Sequence, residues 1–168
     1  MMTSSALRSV AVIAALLCGV TVARAIERTK IPAFAVTGRD GRSRSSESLQ
    51  RGGQWLLVVV HPSCKPCDTV LQAVATLPPE PTGSRLVIVI SSGTAADVAA
   101  LVERYPSLTT AEWLTGAAAE VNEALKLTAA SALFGVRGNM IEWSVSGVLN
   151  DPADVRSIAA SWLAAGAP

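Results

Sequence analysis

The sequence predicts an α/β fold, a mixed sheet covered by helices. Three observations carry this. Short apolar runs rich in β-branched residues alternate with segments whose apolar residues recur at helical spacing. The last two runs, Ala132 to Val136 and Met140 to Val145, flank the turn Arg137-Gly138-Asn139, which marks an antiparallel hairpin. Half of the 168 residues are hydrophobic, which argues for one domain with a real core and against disorder.

The elements follow in chain order. Ile31 to Thr37 reads as a short strand entering a turn at Gly38-Arg39-Asp40-Gly41. Gly52 and Gly53 close a polar stretch. Trp55 to Val60 is wholly apolar, as a central strand buried on both faces must be, and Pro62 stops it. A helix is expected from about Cys64 to Leu77, because Cys67, Val70, Leu71 and Val74 fall on one face. Pro78, Pro79 and Pro81 end it. Leu86 to Ile90 is a second buried strand. Thr94, with Asp97 three residues on, resembles a capping box, and Val98, Leu101, Val102 and Tyr105 form the apolar stripe that follows. Leu108 to Trp113 is ambiguous, with a short strand as its one reading. Ala117 to Leu127 reads as an inserted helix with Val121 and Leu125 inward. After the hairpin, Asp151 caps a last helix that has Pro152 at its first position and Val155, Ile158, Ala159 and Trp162 on its apolar face. Parallel strands joined by helical crossovers and closed by a hairpin give the mixed sheet.

The first residues have the pattern of a secretory leader. Arg8 supplies positive charge, Val10 to Ala23 is an apolar run of 14 residues, and Ala23-Arg24-Ala25 is an A-x-A cleavage site. Residues 1–25 are thus expected to be a signal peptide and 26–168 one domain, exported to the periplasm or an equivalent compartment. Left uncleaved, the same run would anchor the chain to a membrane, although a span needs about 20 residues. Loss of the leader leaves 12 basic against 13 acidic residues, which gives no sign of a nucleic-acid partner. Arg39, Arg42, Arg44 and Arg51 cluster in one polar loop, read as a solvated hairpin tip or, alternatively, a patch for an anion or partner.

Cys64-Lys65-Pro66-Cys67, directly behind the first buried run, carries the chemistry. At a strand-to-helix junction the two sulfurs reach each other across one turn. The first sits at a helix N-terminus, where free N–H groups and the positive dipole end favour thiolate over thiol. Cys18 belongs to the leader, so no other cysteine remains for a structural disulfide or a four-cysteine zinc site. Cys64 is read as the attacking sulfur and Cys67, one turn in, as the resolving one. Lys65 adds positive charge beside the thiolate, or is simply exposed. Pro66 stiffens the first helical turn, or simply starts it. His61, the only histidine, is a proton shuttle, a third metal ligand, or a packed ring. Ser63 can cap the helix. Trp55, Trp113, Trp143 and Trp162 are read as core or anchoring residues.

This order of elements, with the cysteine pair behind the first core strand, resembles the thioredoxin fold. Within that fold it resembles exported thioredoxin-like proteins of the TlpA and ResA type more closely. Pro32-Ala33-Phe34-Ala35-Val36 with Asp40-Gly41 looks like the N-terminal hairpin extension of that group. His61 to Cys67, Ser131-Ala132-Leu133-Phe134 and Val145 to Asn150 resemble the corresponding segments of the methylamine-utilisation accessory proteins, MauD. The likeness spans roughly Ile31 to Leu163. It implies disulfide exchange with a substrate protein, an upstream redox partner such as a membrane electron donor, and no cofactor. Two departures stand out. The cis-proline that such proteins place opposite the cysteines aligns with Ala130, where a cis bond would cost about 2.5–4 kcal/mol, so a trans bond and a reshaped groove are expected. The buried acids of thioredoxin and of ResA-type proteins align with Val58 and Val70. Two other readings stay open: a soft-metal (copper) handling protein using Cys64, Cys67 and His61, or a binding module that keeps the fold without efficient exchange.

Overall fold

The computed structural model describes residues 28–49, 51–78, 85–147 and 151–165. One eight-stranded mixed sheet runs through it, in the order β1-β8-β7-β4-β5-β6-β2-β3. Its strands are Thr29–Lys30 (β1), Ala35–Gly38 (β2), Ser43–Ser45 (β3), Gln54–Val60 (β4), Leu86–Ser91 (β5), Glu112–Gly116 (β6), Ala132–Arg137 (β7) and Met140–Ser146 (β8). Four α-helices cover it: Lys65–Ala75 (α1), Ala95–Arg104 (α2), Ala118–Leu125 (α3) and Pro152–Ala165 (α4).

β4 lies at the centre, parallel to β5 and antiparallel to β7, and every residue of it is buried. Its side chains alternate between two cores. Leu56, Val58 and Val60 join α1, α2 and α4 on one face; Trp55, Leu57 and Val59 join α3 and the N-terminal segment on the other. The parallel pairs β4–β5 and β5–β6 need crossovers, and α1 and α2 supply them.

Several expectations need correction. Ile31 to Thr37 is not one strand. β1 ends at Lys30 and β2 begins at Ala35; between them the chain is pinned by Ile31 N–H donating to Asn139 O (2.9 Å), Phe34 N–H to Ser46 Oγ (2.9 Å) and Ser46 Oγ to Pro32 O (2.6 Å). The ambiguous segment resolves into a 3-10 turn, Pro106–Leu108, and then β6, so α3 follows a parallel strand instead of being an insertion. On α4 the buried stripe is Val155, Ala159 and Leu163; Trp162 is half-buried and Ile158 is exposed. That stripe follows an i, i+4, i+8 spacing, and α4 packs against α1 with it. Arg44 and Arg51 do not form a free patch: both pair with Glu112 of β6. Burial, and then neighbouring Arg44, lower the Arg51 pKa.

Among the described residues no helix is long and apolar enough to cross a membrane. The expected membrane-anchoring segment is therefore corrected to one that the described residues do not support. Val10 to Ala23 and the cleavage site at Ala23-Arg24-Ala25 lie outside the described residues, as do Pro79, Pro81 and Val148 to Asn150.

Candidate active site

The register of β4 places the site. β4 runs out at Val60, and the segment His61-Pro62-Ser63 turns the chain into α1. Cys64, not Ser63, is the N-cap: its backbone is extended, and its sulfur accepts from the N–H of Cys67 at 3.2 Å. The Ser63 N–H donates to His61 Nδ1 at 3.3 Å within the same turn. Pro66 lies in the first turn, where its missing N–H costs no helical bond.

Cys64 and Cys67 form a disulfide, with their Cα atoms 5.2 Å apart. The two sulfurs differ in environment. Cys64 is half-buried, whereas Cys67 is 3% exposed and packs in the same core as Val58, Val70 and Leu71. Lys65 is exposed beside them. No carboxylate enters this core from position 58 or 70; both are fully buried valines.

β7 brings in the opposite wall. Val59 pairs with Ala132, so stepping back from Ala132 along the antiparallel strand reaches the residues that follow Val60. Ala130 therefore stands across from the cysteine turn, with its carbonyl oxygen 3.3 Å from Cys67 Sγ. On the other side the His61 N–H donates to Cys67 Sγ at 3.3 Å. Ala130 itself is exposed, while Ser131 beside it is 2% exposed.

His61 contributes its backbone N–H to Cys67 and its ring Nδ1 to Ser63. Among the described residues no three His, Cys, Asp or Glu side chains are grouped to hold a metal ion. The alternative metal set of Cys64, Cys67 and His61 is thus not assembled in this state, where the sulfurs are bonded to each other. Sequence reasoning passed over Asp68, in the first turn of α1, which accepts from Arg104 (3.2 Å) and from the Tyr105 hydroxyl (3.3 Å). Burial and then the Asp68 charge raise the Tyr105 pKa. An acid one residue after a Cys-x-x-Cys pair was the available signal; its partners lie across the sheet crossover and leave none. Ser131 was also missed as anything but a strand marker.

A central β4 with a parallel neighbour, a cysteine pair capping the helix behind it, and an antiparallel strand whose approach faces the inner sulfur decide the architecture. The chain has a thioredoxin-like fold. No protein-family model and no curated protein matches it. Solved structures with this fold do. A secreted Mycobacterium tuberculosis disulfide oxidoreductase homologous to Escherichia coli DsbE superposes with a TM-score of 0.60 at 16% identity, over 76% of this chain and 95% of that one. A putative thiol:disulfide interchange protein DsbE from Chlorobium tepidum gives 0.65 at 16% identity, over 83% and 97%. The Arabidopsis thaliana ScoI with copper bound gives 0.57 at 16% identity, over 80% and 99%. At such identities the likeness is one of thioredoxin-like fold, and the chemistry has to be argued from the cysteine pair.

Proposed function

We propose that this protein is a thiol-disulfide oxidoreductase that exchanges disulfides with partner proteins through Cys64 and Cys67. The observation that carries this reading is the disulfide at the N-terminus of α1, with one sulfur reachable and the other buried.

In the reducing direction the Cys64 thiolate attacks one sulfur of a partner disulfide. A Cys64–partner bond forms, the partner's own S–S bond breaks, and its second sulfur leaves as a thiolate that takes a proton. Cys67 then loses its proton and attacks Cys64, expelling the partner's remaining thiol. Two electrons pass to the partner, and Cys64–Cys67 is left oxidised. A dithiol partner run in reverse restores the pair. The free N–H groups of the first turn and Lys65 stabilise the Cys64 thiolate each time it forms. The narrower likeness to the TlpA and ResA type is supported by the hairpin β2–β3, whose turn is Gly38-Arg39-Asp40-Gly41.

The test is trapping. Cys67→Ser should accumulate mixed disulfides with partners, because the resolving sulfur is gone, and Cys64→Ser should accumulate few. Equal trapping by the two variants would contradict the assigned roles. No trapping by either, together with no turnover of a model disulfide by the intact protein, would favour a binding module.

A further inference from the structure

We infer that Ser131 is a positioning residue for the buried sulfur: its hydroxyl holds the Ala130 carbonyl against Cys67, so that in the reduced protein Cys67 rests as a hydrogen-bonded thiol. This deepens the exchange reading by naming what controls the resolving sulfur.

The geometry is a clamp just beyond the last rung of the β7–β8 ladder. Ala132 pairs with Ser146. One residue further, the Ser131 hydroxyl donates to Gly147 O at 3.1 Å, and the Gly147 N–H donates back to Ser131 O at 3.3 Å. Gly147 accepts this bend because its φ of 113° suits glycine and strains any other residue. A serine that is 2% exposed and bonded this way fixes the peptide between itself and Ala130. That peptide carries the carbonyl that lies 3.3 Å from Cys67 Sγ.

In the disulfide, Cys67 Sγ has no proton to donate. Reduction supplies one. The thiol can then donate to Ala130 O while still accepting from the His61 N–H. The two contacts act in opposite senses: a carbonyl oxygen favours the thiol and repels a thiolate, whereas an N–H favours the thiolate. The distance of the carbonyl therefore sets the balance, and Ser131 sets the distance.

Other charges bear on this sulfur weakly. The His61 ring is engaged by Ser63, and Lys65 and Asp68 on α1 are exposed. Arg104, the last residue of α2, and Tyr105 just after it reach Asp68. β4 and β7 bring Val58, Val60 and Leu133 into the core that holds Cys67. The clamp thus slows the moment at which Cys67 gives up its proton to water and attacks Cys64, and so lengthens the life of a mixed disulfide.

The experiment measures the pH profile of native iodoacetamide alkylation at Cys67 in the Cys64→Ser protein, read on the Cys67 peptide by mass spectrometry. Adding Ser131→Ala should move the midpoint to lower pH, with about threefold more thiolate at any pH below it, the effect of losing one ordinary hydrogen bond. Ser131→Thr, which keeps the hydroxyl, should leave the profile where it was. A higher rate with an unmoved midpoint means only easier access and overturns the inference, as does a superimposable profile. Should Ser131→Ala not fold, Ser131→Thr against the isosteric Ser131→Val repeats the comparison. None of these measurements requires exchange with a partner, so failure of the exchange reading would show separately in the trapping experiment.

Discussion

The two faces of β4 are both buried and are covered in opposite ways. On the face of Leu56, Val58 and Val60, three whole helices supply the cover, and Cys67 is part of their core. On the face of Trp55, Leu57 and Val59, the cover comes from α3 and from scattered residues, Ile31, Phe34, Val36 and Leu49, held by turns and by the buried Ser46. The first face is built of contiguous helical stripes and carries the chemistry. The second is stitched together from irregular backbone and carries none of it. The contrast teaches that stability and redox behaviour should be separable here by which face is disturbed.

The sharpest separation should come from Phe34→Ala, on the stitched face. Phe34 is 5% exposed, and losing its ring should cost about 3–5 kcal/mol. Urea unfolding should show the full loss, while the equilibrium of Cys64–Cys67 with a glutathione buffer stays unchanged. A shifted redox equilibrium would mean that the faces are coupled through β4. On the helical face, Leu71→Ala should cost about 2–5 kcal/mol and should also move that equilibrium, because Leu71 seats the helix that carries both sulfurs. An equal stability loss without a redox change would break the comparison from the other side.

Gly135→Ala probes a contact behind the helical core. A Cβ at Gly135 would overlap the indole of Trp143 on β8, so the indole must leave its place over Gly135. Trp143 meets Trp162 edge-on, with ring centroids 5.8 Å apart. A cost of about 1–3 kcal/mol is expected, with a change in tryptophan fluorescence. Unaltered fluorescence would show that the backbone yields instead.

The smallest effect concerns the start of α2. The Thr94 hydroxyl (2.7 Å) and N–H (2.8 Å) both donate to Asp97, which holds its carboxyl below the usual carboxylate range. A carboxyl held low when folded stabilises the protein above the unfolded value of about 3.9, and that contribution fades as the pH falls through the lower folded value. Thr94→Ala should bring the Asp97 titration, followed by NMR, back toward the ordinary range and flatten the acid limb of stability. An unmoved Asp97 midpoint would show that the cap does not control it.

This contrast also explains what was legible in the sequence. β4, α1, β5, α2, the β7–β8 hairpin and α4 announce themselves because continuous apolar runs or helical stripes build them. Capping chemistry sharpened two of the ends: the Asp97 box is present, and Asp151 accepts from the Ala153 N–H at 2.8 Å. β1 and β3 left no such trace. They are two- and three-residue strands with every residue exposed; β1 pairs with the distant β8, and β3 pairs with β2 across a short turn without an apolar pattern of its own. β6 was ambiguous because only Trp113 and Leu114 of its five residues are buried. At the site, the cysteine pair and the place of Ala130 could be read from spacing and alignment. The Ser131–Gly147 clamp could not, since it joins small residues sixteen positions apart that carry no motif.

Ala130 stands 63 residues beyond the sulfur it faces. A ribosome adding about 5–20 residues each second needs roughly 3–13 s to cover that stretch. Throughout that interval the growing chain already contains both cysteines, whose bond spans a single turn, but not the wall that encloses the inner one. Oxidation can therefore precede enclosure. Where it does, the wall closes over a bond whose formation it did not supervise, and its influence begins only when that bond is next opened.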